Sequence, residues 1–140
     1  MKRTTIAYLA TLIVFVAIDF VWLSSMADRL YRPVLGEMLA KEFRLAPAVA
    51  FYLLYAGGLV YLAVRPSLVS GSLKQAVLAG AVVGLTAYGT YDLTNQATLA
   101  NWSTALTIAD LLWGAFLSAV SSGAGYWIAK KLGGSLENRT

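Results

Sequence analysis

Residues 4–23 read TTIAYLATLIVFVAIDFVWL, with Asp19 as the only charge in the run. About 20 apolar residues in helical form cross the ~30 Å hydrocarbon core of a bilayer. The flanks, Met1-Lys2-Arg3 before and Ser24-Ser25-Met26-Ala27 after, resemble those of a signal peptide with a weak cleavage site. The run is longer than a usual signal-peptide core, so it reads as a first spanning helix over residues 4–25.

The rest of the chain agrees with that reading. It has 140 residues, is 59% hydrophobic and only 13% charged, with mean hydropathy +0.66. A soluble domain carries about 25% charged residues. The length leaves room for about four spanning helices. Pro47 suits the first turn of a second helix over residues 47–64, and Arg65-Pro66-Ser67 is expected to end it, since proline cannot continue a helix. A turn at Ser70-Gly71-Ser72 leads to a third helix over 73–96. Asn101-Trp102-Ser103 is a short turn before a fourth over 104–131. The polar tail from Gly133 to Thr140 is expected to fray. Between helices one and two, Pro33 can open a short interfacial helix with Val34, Leu35, Met38 and Leu39 along one side. The expectation is an all-α fold: an integral membrane four-helix bundle, residues 1–140 forming a single transmembrane domain.

Lysine and arginine set the orientation. Lys2, Arg3, Arg65, Lys74, Lys130, Lys131 and Arg139 cluster at the termini and at the connection between helices two and three, whereas the third connection has no basic residue. Both termini are therefore expected in the cytoplasm. The first connection carries Arg29, Arg32, Lys41 and Arg44 and pulls the other way. A net charge of +4 spread in this manner is not a nucleic-acid footprint.

Polar residues inside spans are costly and are usually kept for a purpose. Asp19, Asp92 and Asp110 lie on three different helices, and their distances from the helix ends put them at similar depth in one half of the membrane. Gly80, Gly84, Tyr88, Asp92 and Gln96 recur every four residues, as do Asp110, Gly114, Ser118 and Ser122, so each set shares a helix face. Small residues at that spacing let helices approach closely. Gly80 and Gly84 can do so inside the bundle or between two copies. Asp19-Phe20-Val21-Trp22 and Asp110-Leu111-Leu112-Trp113 repeat one Asp-x-x-Trp spacing on oppositely directed helices, a trace of internal symmetry. Tyr8 and Trp102 read as interface anchors.

The stretch Tyr91-Asp92-Leu93-Thr94-Asn95-Gln96-Ala97-Thr98-Leu99 with Trp102, followed by Asp110-Leu111-Leu112-Trp113-Gly114 and preceded by Asp19-Phe20-Val21-Trp22-Leu23, resembles the family called domain of unknown function 2177. The resemblance covers nearly the whole chain. It implies a small bacterial inner-membrane protein and lends no established activity.

With neither Cys nor His, the chain lacks thiolate chemistry and the commonest acid/base group and zinc ligand. No metal site or cofactor is expected, no nucleotide-binding loop or nucleophile elbow is present, and no Lys lies deep in a helix for a Schiff base. Three functions stay open. In the first, a pocket lined by Asp19, Trp22, Tyr52, Tyr55, Tyr88, Tyr91, Asp92, Asn95, Asp110 and Trp113 binds a small molecule or cation, aromatic rings favouring an organic cation. Such a pocket can exchange a proton against its ligand, with a homodimer supplying a transport path. In the second, a membrane enzyme acts on a lipid or isoprenoid through Asp acid/base groups or bound Mg²⁺. In the third, the chain is a structural or accessory subunit of a membrane complex. Membrane lipid is the surrounding partner in each.

Overall fold

A computed structural model of the chain describes residues 2–137, with side chains through residue 133. Among the described residues, four helices are long and apolar enough to cross a membrane: α1, Lys2–Met38; α2, Leu45–Ser70; α3, Leu73–Thr98; and α4, Thr104–Glu137. The fold is the expected all-helical membrane bundle, and no strand occurs among the described residues.

Two helices run on through prolines. α1 is α-helical to Met26, makes a π turn at Ala27–Tyr31, and continues through Arg32–Leu35 to a final turn at Gly36–Met38. The short helix opened by Pro33 is thus a continuation of helix one and not a separate piece. α2 likewise makes a π turn at Val60–Val64 and continues through Arg65–Ser70, so Arg65-Pro66 does not end it. In both places an Arg-Pro pair follows the π turn, and the Arg N–H bonds five residues back, Arg32 to Ala27 and Arg65 to Val60. A proline ring clashes with the carbonyl four residues earlier. A π turn shifts the ladder by one residue just ahead of that point, and the helix survives. Gly57-Gly58 precede the second π turn.

Glycines with positive φ mark the last turn of α1 and the end of α2, whereas α3 ends on the extended Leu99. Gly36 (φ 50°) opens the final turn of α1, and Gly71 (φ 74°) closes α2, with Ser72 N–H returning to the Ser67 carbonyl at 3.2 Å. Ser72 then caps α3, its hydroxyl accepting from Gln75 N–H at 3.2 Å. Ser103 caps α4 by accepting from Leu106 N–H at 3.4 Å, and Gln96 Nε2 donates to Thr104 Oγ1 at 2.8 Å to tie α3 to α4. The residues from Gly133 to Glu137 are helical where a frayed tail was expected; Asn138–Thr140 lie outside the described residues.

α4 is the central helix, packed antiparallel against α1 on one side and α3 on the other. The α3 contact depends on glycine. A Cβ at Gly84 would lie 2.1 Å from the Gly114 carbonyl oxygen, and one at Gly80 would lie 2.6 Å from that of Ser118. Gly80 and Gly84 therefore serve packing inside one bundle. Phe15, Leu59 and Leu117 form one apolar core and Ala7, Val60, Val64, Ala76, Tyr126 and Ala129 another. The molecule is inverted relative to a soluble protein. Phe20, Leu54, Val69 and Leu112 face outward, while Asp19, Asp92, Asp110, Ser118, Ser121 and Ser122 are buried. That distribution suits a hydrocarbon solvent.

Candidate functional site: a carboxylate and indole cluster

The antiparallel register of α1 and α4 sets Phe15 against Leu117 and, one turn on, Asp19 against Trp113. Asp19 Oδ1 accepts from Trp113 Nε1 at 3.1 Å, and its Oδ2 accepts from Tyr52 Oη of α2 at 2.7 Å. A turn further, Asp110 Oδ1 accepts from Tyr31 Oη at 2.7 Å, and Tyr31 Oη accepts from Trp22 Nε1 at 3.0 Å. The two indoles stack, centroids 4.2 Å apart and planes within 11°. The two Asp-x-x-Trp segments thus interlock: the Trp of each helix is directed at the Asp of the other, once directly and once through Tyr31. Asp19 and Asp110 are each 6% exposed, so this is a closed network and not an open pocket.

Below it, Phe15 packs edge-on to Tyr52 and against Tyr55, and Tyr55 Oη shares a hydrogen bond with Ser118 Oγ at 2.8 Å. Tyr88 lies over Gly114, where a Cβ would come within 2.2 Å of its ring, and stands edge-on to Tyr55 at 6.4 Å.

Asp92 differs from the other two carboxylates. It is 0% exposed, and neither of its oxygens has a hydrogen-bond partner. The register that brings Gly84 to Gly114 sets Asp92 beside Asp110, and the two carboxylates feel each other's field. No basic side chain bonds to it. A bare buried carboxylate is untenable; it needs a proton, a cation or bound water.

Of the ten residues proposed from the sequence, Asp19, Trp22, Tyr52, Asp110 and Trp113 join one network. Tyr55 and Tyr88 line its floor, and Asp92 lies beside it without joining. Tyr91 turns away, 58% exposed and edge-on to Trp102 at 5.8 Å, because it lies next to Asp92 on the helix and so about 100° round its surface. Asn95, half-buried one turn past Tyr91, is absent from the network. No group of three acidic residues close enough to hold a metal ion occurs among the described residues, so the Mg²⁺ arrangement lacks its ligand set.

Tyr31 was missed from the sequence. It comes nine residues after Trp22, half a turn off-face in a straight α-helix, and the π turn at Ala27–Tyr31 carries it round. The one signal was Arg32-Pro33 in an unbroken amphipathic run.

These features define a class: a multi-pass integral membrane protein, a four-helix bundle with a polar centre and an apolar exterior. The chain belongs to the family described as predicted membrane protein (DUF2177), whose profile matches residues 4–127. No curated protein and no solved structure matches it.

Proposed function

We propose that this chain binds a proton or a small monovalent cation at the Asp92–Asp110 pair and exchanges it with water beyond the α3–α4 connection. In this reading the protein sits in a bacterial inner membrane with both termini in the cytoplasm, and the exchange is the binding half of a proton-coupled transport cycle. The observation that carries the proposal is Asp92, wholly buried, with both oxygens unpartnered, in a bundle whose other two membrane carboxylates each accept hydrogen bonds from neighbouring helices. Natural proteins rarely keep such a group without a use. The titratable groups near it are Asp110 of α4 and the neighbouring Tyr91 of its own helix; Tyr88, Asp19, Tyr31 and Tyr52 lie around Asp110 and Asp19. A homodimer would complete a transport path through a face other than Gly80 and Gly84, which are occupied within the bundle.

Infrared difference spectroscopy on the protein in lipid nanodiscs tests this. The carbonyl stretch of a protonated carboxylic acid should be present at low pH, fade as the pH rises, fade also on addition of Na⁺ or methylammonium at fixed pH, and be missing in Asp92→Asn. A spectrum with no titrating carboxyl band, or one unchanged in Asp92→Asn, would overturn the proposal.

An enzyme acting on a lipid or isoprenoid is a second reading, favoured by one feature. An apolar groove of about 530 Å³ runs along Ala17, Val21 and Ser25 to the Trp22–Trp113 pair, wide enough for part of a hydrocarbon chain. Turnover of a lipid lost in Asp110→Asn with the fold intact would support it, and no turnover across a broad lipid panel would count against it.

A further inference from the structure

We propose that the groove between α1 and α2, at the termini end of the bundle, holds one anionic phospholipid, with its phosphate on Arg65 and an acyl chain lying over Gly57. This site is separate from the carboxylate cluster and does not depend on the proton-exchange reading.

Missing side chain and crossing ring together make the groove. Gly57 and the buried Val60 form an apolar floor on α2. Tyr8 of α1 crosses at the interior end. Its ring faces Gly57, where a Cβ would lie 3.9 Å from Cε2, and its hydroxyl donates to the Leu53 carbonyl at 3.1 Å. Tyr61 and Arg65 of α2 stand on one side, with Thr4 and Thr5 of α1 on the other. The space is about 350 Å³, within the range of small-ligand sites, and Gly57 to Arg65 is about 12 Å along the helix. Tyr61 is 68% exposed, so the groove lies on the outer surface of the bundle, where the solvent is hydrocarbon. A void there would leave its lining without contacts, and a lipid tail is the molecule at hand to fill it.

Charge selects the kind of lipid. α2 has no acidic residue, and α1 has none before Asp19, about 22 Å further along from Thr4. Arg65 is exposed, stands over the Tyr61 ring with its guanidinium carbon 5.9 Å from the centroid, and pairs with no carboxylate among the described residues. It lies about 9 Å short of Gly71, where α2 ends, within snorkelling reach of the headgroup layer. Three other cations at this end are turned to α4: Arg3 lies over Gly133, Lys130 donates to Tyr126 Oη at 3.2 Å, and Lys131 stands over the Trp127 ring at 4.8 Å. Arg65 is the cation that lines the groove itself. A guanidinium presents paired donors that fit two phosphate oxygens at once, and the Thr4 hydroxyl adds a neutral donor from the opposite wall. Lys2 and Lys74, exposed at the same end, strengthen the field that draws anionic lipid to this leaflet. A zwitterionic phospholipid carries the same phosphate with an ammonium that these cations repel; an anionic one lacks it.

Native mass spectrometry of the full chain tests this, with the protein released from nanodiscs of mixed phosphatidylglycerol and phosphatidylcholine of the same acyl chains. The wild type should retain one phosphatidylglycerol per chain, in preference to phosphatidylcholine by roughly 10-fold, the low end for a hydrogen bond to a charged group. Arg65→Gln, at an exposed position where the fold tolerates change, should bring the ratio close to one. Lys131→Gln, outside the groove, should leave the ratio as in the wild type. Gly57→Leu fills the floor and should displace both lipids, with circular dichroism showing that the helices are intact; were that variant to unfold, Arg65→Gln alone decides. Inorganic phosphate added at millimolar concentration should leave the lipid in place, and its displacement of the lipid would mark a site for free phosphate and overturn the lipid assignment. Equal retention of the two lipids, or a preference that survives Arg65→Gln, would overturn the proposal and leave the Asp92 site standing.

Discussion

Asp19 and Asp92 are both buried aspartates, and their surroundings make opposite demands. Asp19 is the acceptor for Tyr52 and Trp113. Asp19→Ala would strand both donors in the interior and should cost about 1–3 kcal/mol for each unmet group, whereas Asp19→Asn keeps an acceptor oxygen and should cost less. Asp92 accepts nothing. Asp92→Leu should therefore raise stability, by about 1–3 kcal/mol, and abolish cation exchange, as expected where a strained polar group is kept for function at the expense of stability. Denaturation in detergent micelles checks the pair. Equal losses in Asp19→Ala and Asp92→Leu would mean that Asp92 has a structural partner after all. Asp19, Asp110 and the two Asp-x-x-Trp spacings were legible in the sequence because a charge in an apolar run has no bland explanation there. Tyr31 was not, because a tyrosine in a connection rich in charge looks like an interface residue, and only the π turn turns it inward.

At the scale of the helices, the apolar runs marked every span, since length and hydropathy are one-dimensional properties. The ends were less legible where a proline stands next to a π turn. Arg65-Pro66 is a stop by the usual rule, and Gly71 is the stop in fact, where the left-handed residue turns the chain toward α3. The repeat of small residues on α3 was readable as a packing face, but whether its partner lay inside or outside the bundle needed the neighbour's position. The glycines supply a test of that contact. Gly84→Ala pushes a methyl into the Gly114 carbonyl, backbone that cannot swing aside, and should cost about 1–3 kcal/mol or separate α3 from α4. Gly58→Ala meets nothing within 4 Å and should be neutral or stabilising by up to ~1 kcal/mol from helix propensity. Melting temperatures of the two variants decide this, and a harmless Gly84→Ala would show that α3 and α4 pack less closely than described.

For the molecule as a whole, orientation decides which water the carboxylate pair reaches and which leaflet the Arg65 groove faces. The two ends differ in charge: Lys2, Arg3, Arg65, Lys74, Lys130 and Lys131 gather where the termini and the α2–α3 connection lie, and none stands in the α3–α4 connection. The balance favours termini retained in the cytoplasm. The chain has no cysteine, so single cysteines can be introduced as reporters without background. A cysteine at Asn101, exposed in the α3–α4 connection, should react with a membrane-impermeant maleimide in intact spheroplasts. A cysteine at Ser70, exposed at the end of α2, should react only after the membrane is opened. The reverse pattern would exchange the two sides of the membrane throughout: the carboxylate pair would then load from the cytoplasm, and the Arg65 groove would take its lipid from the outer leaflet.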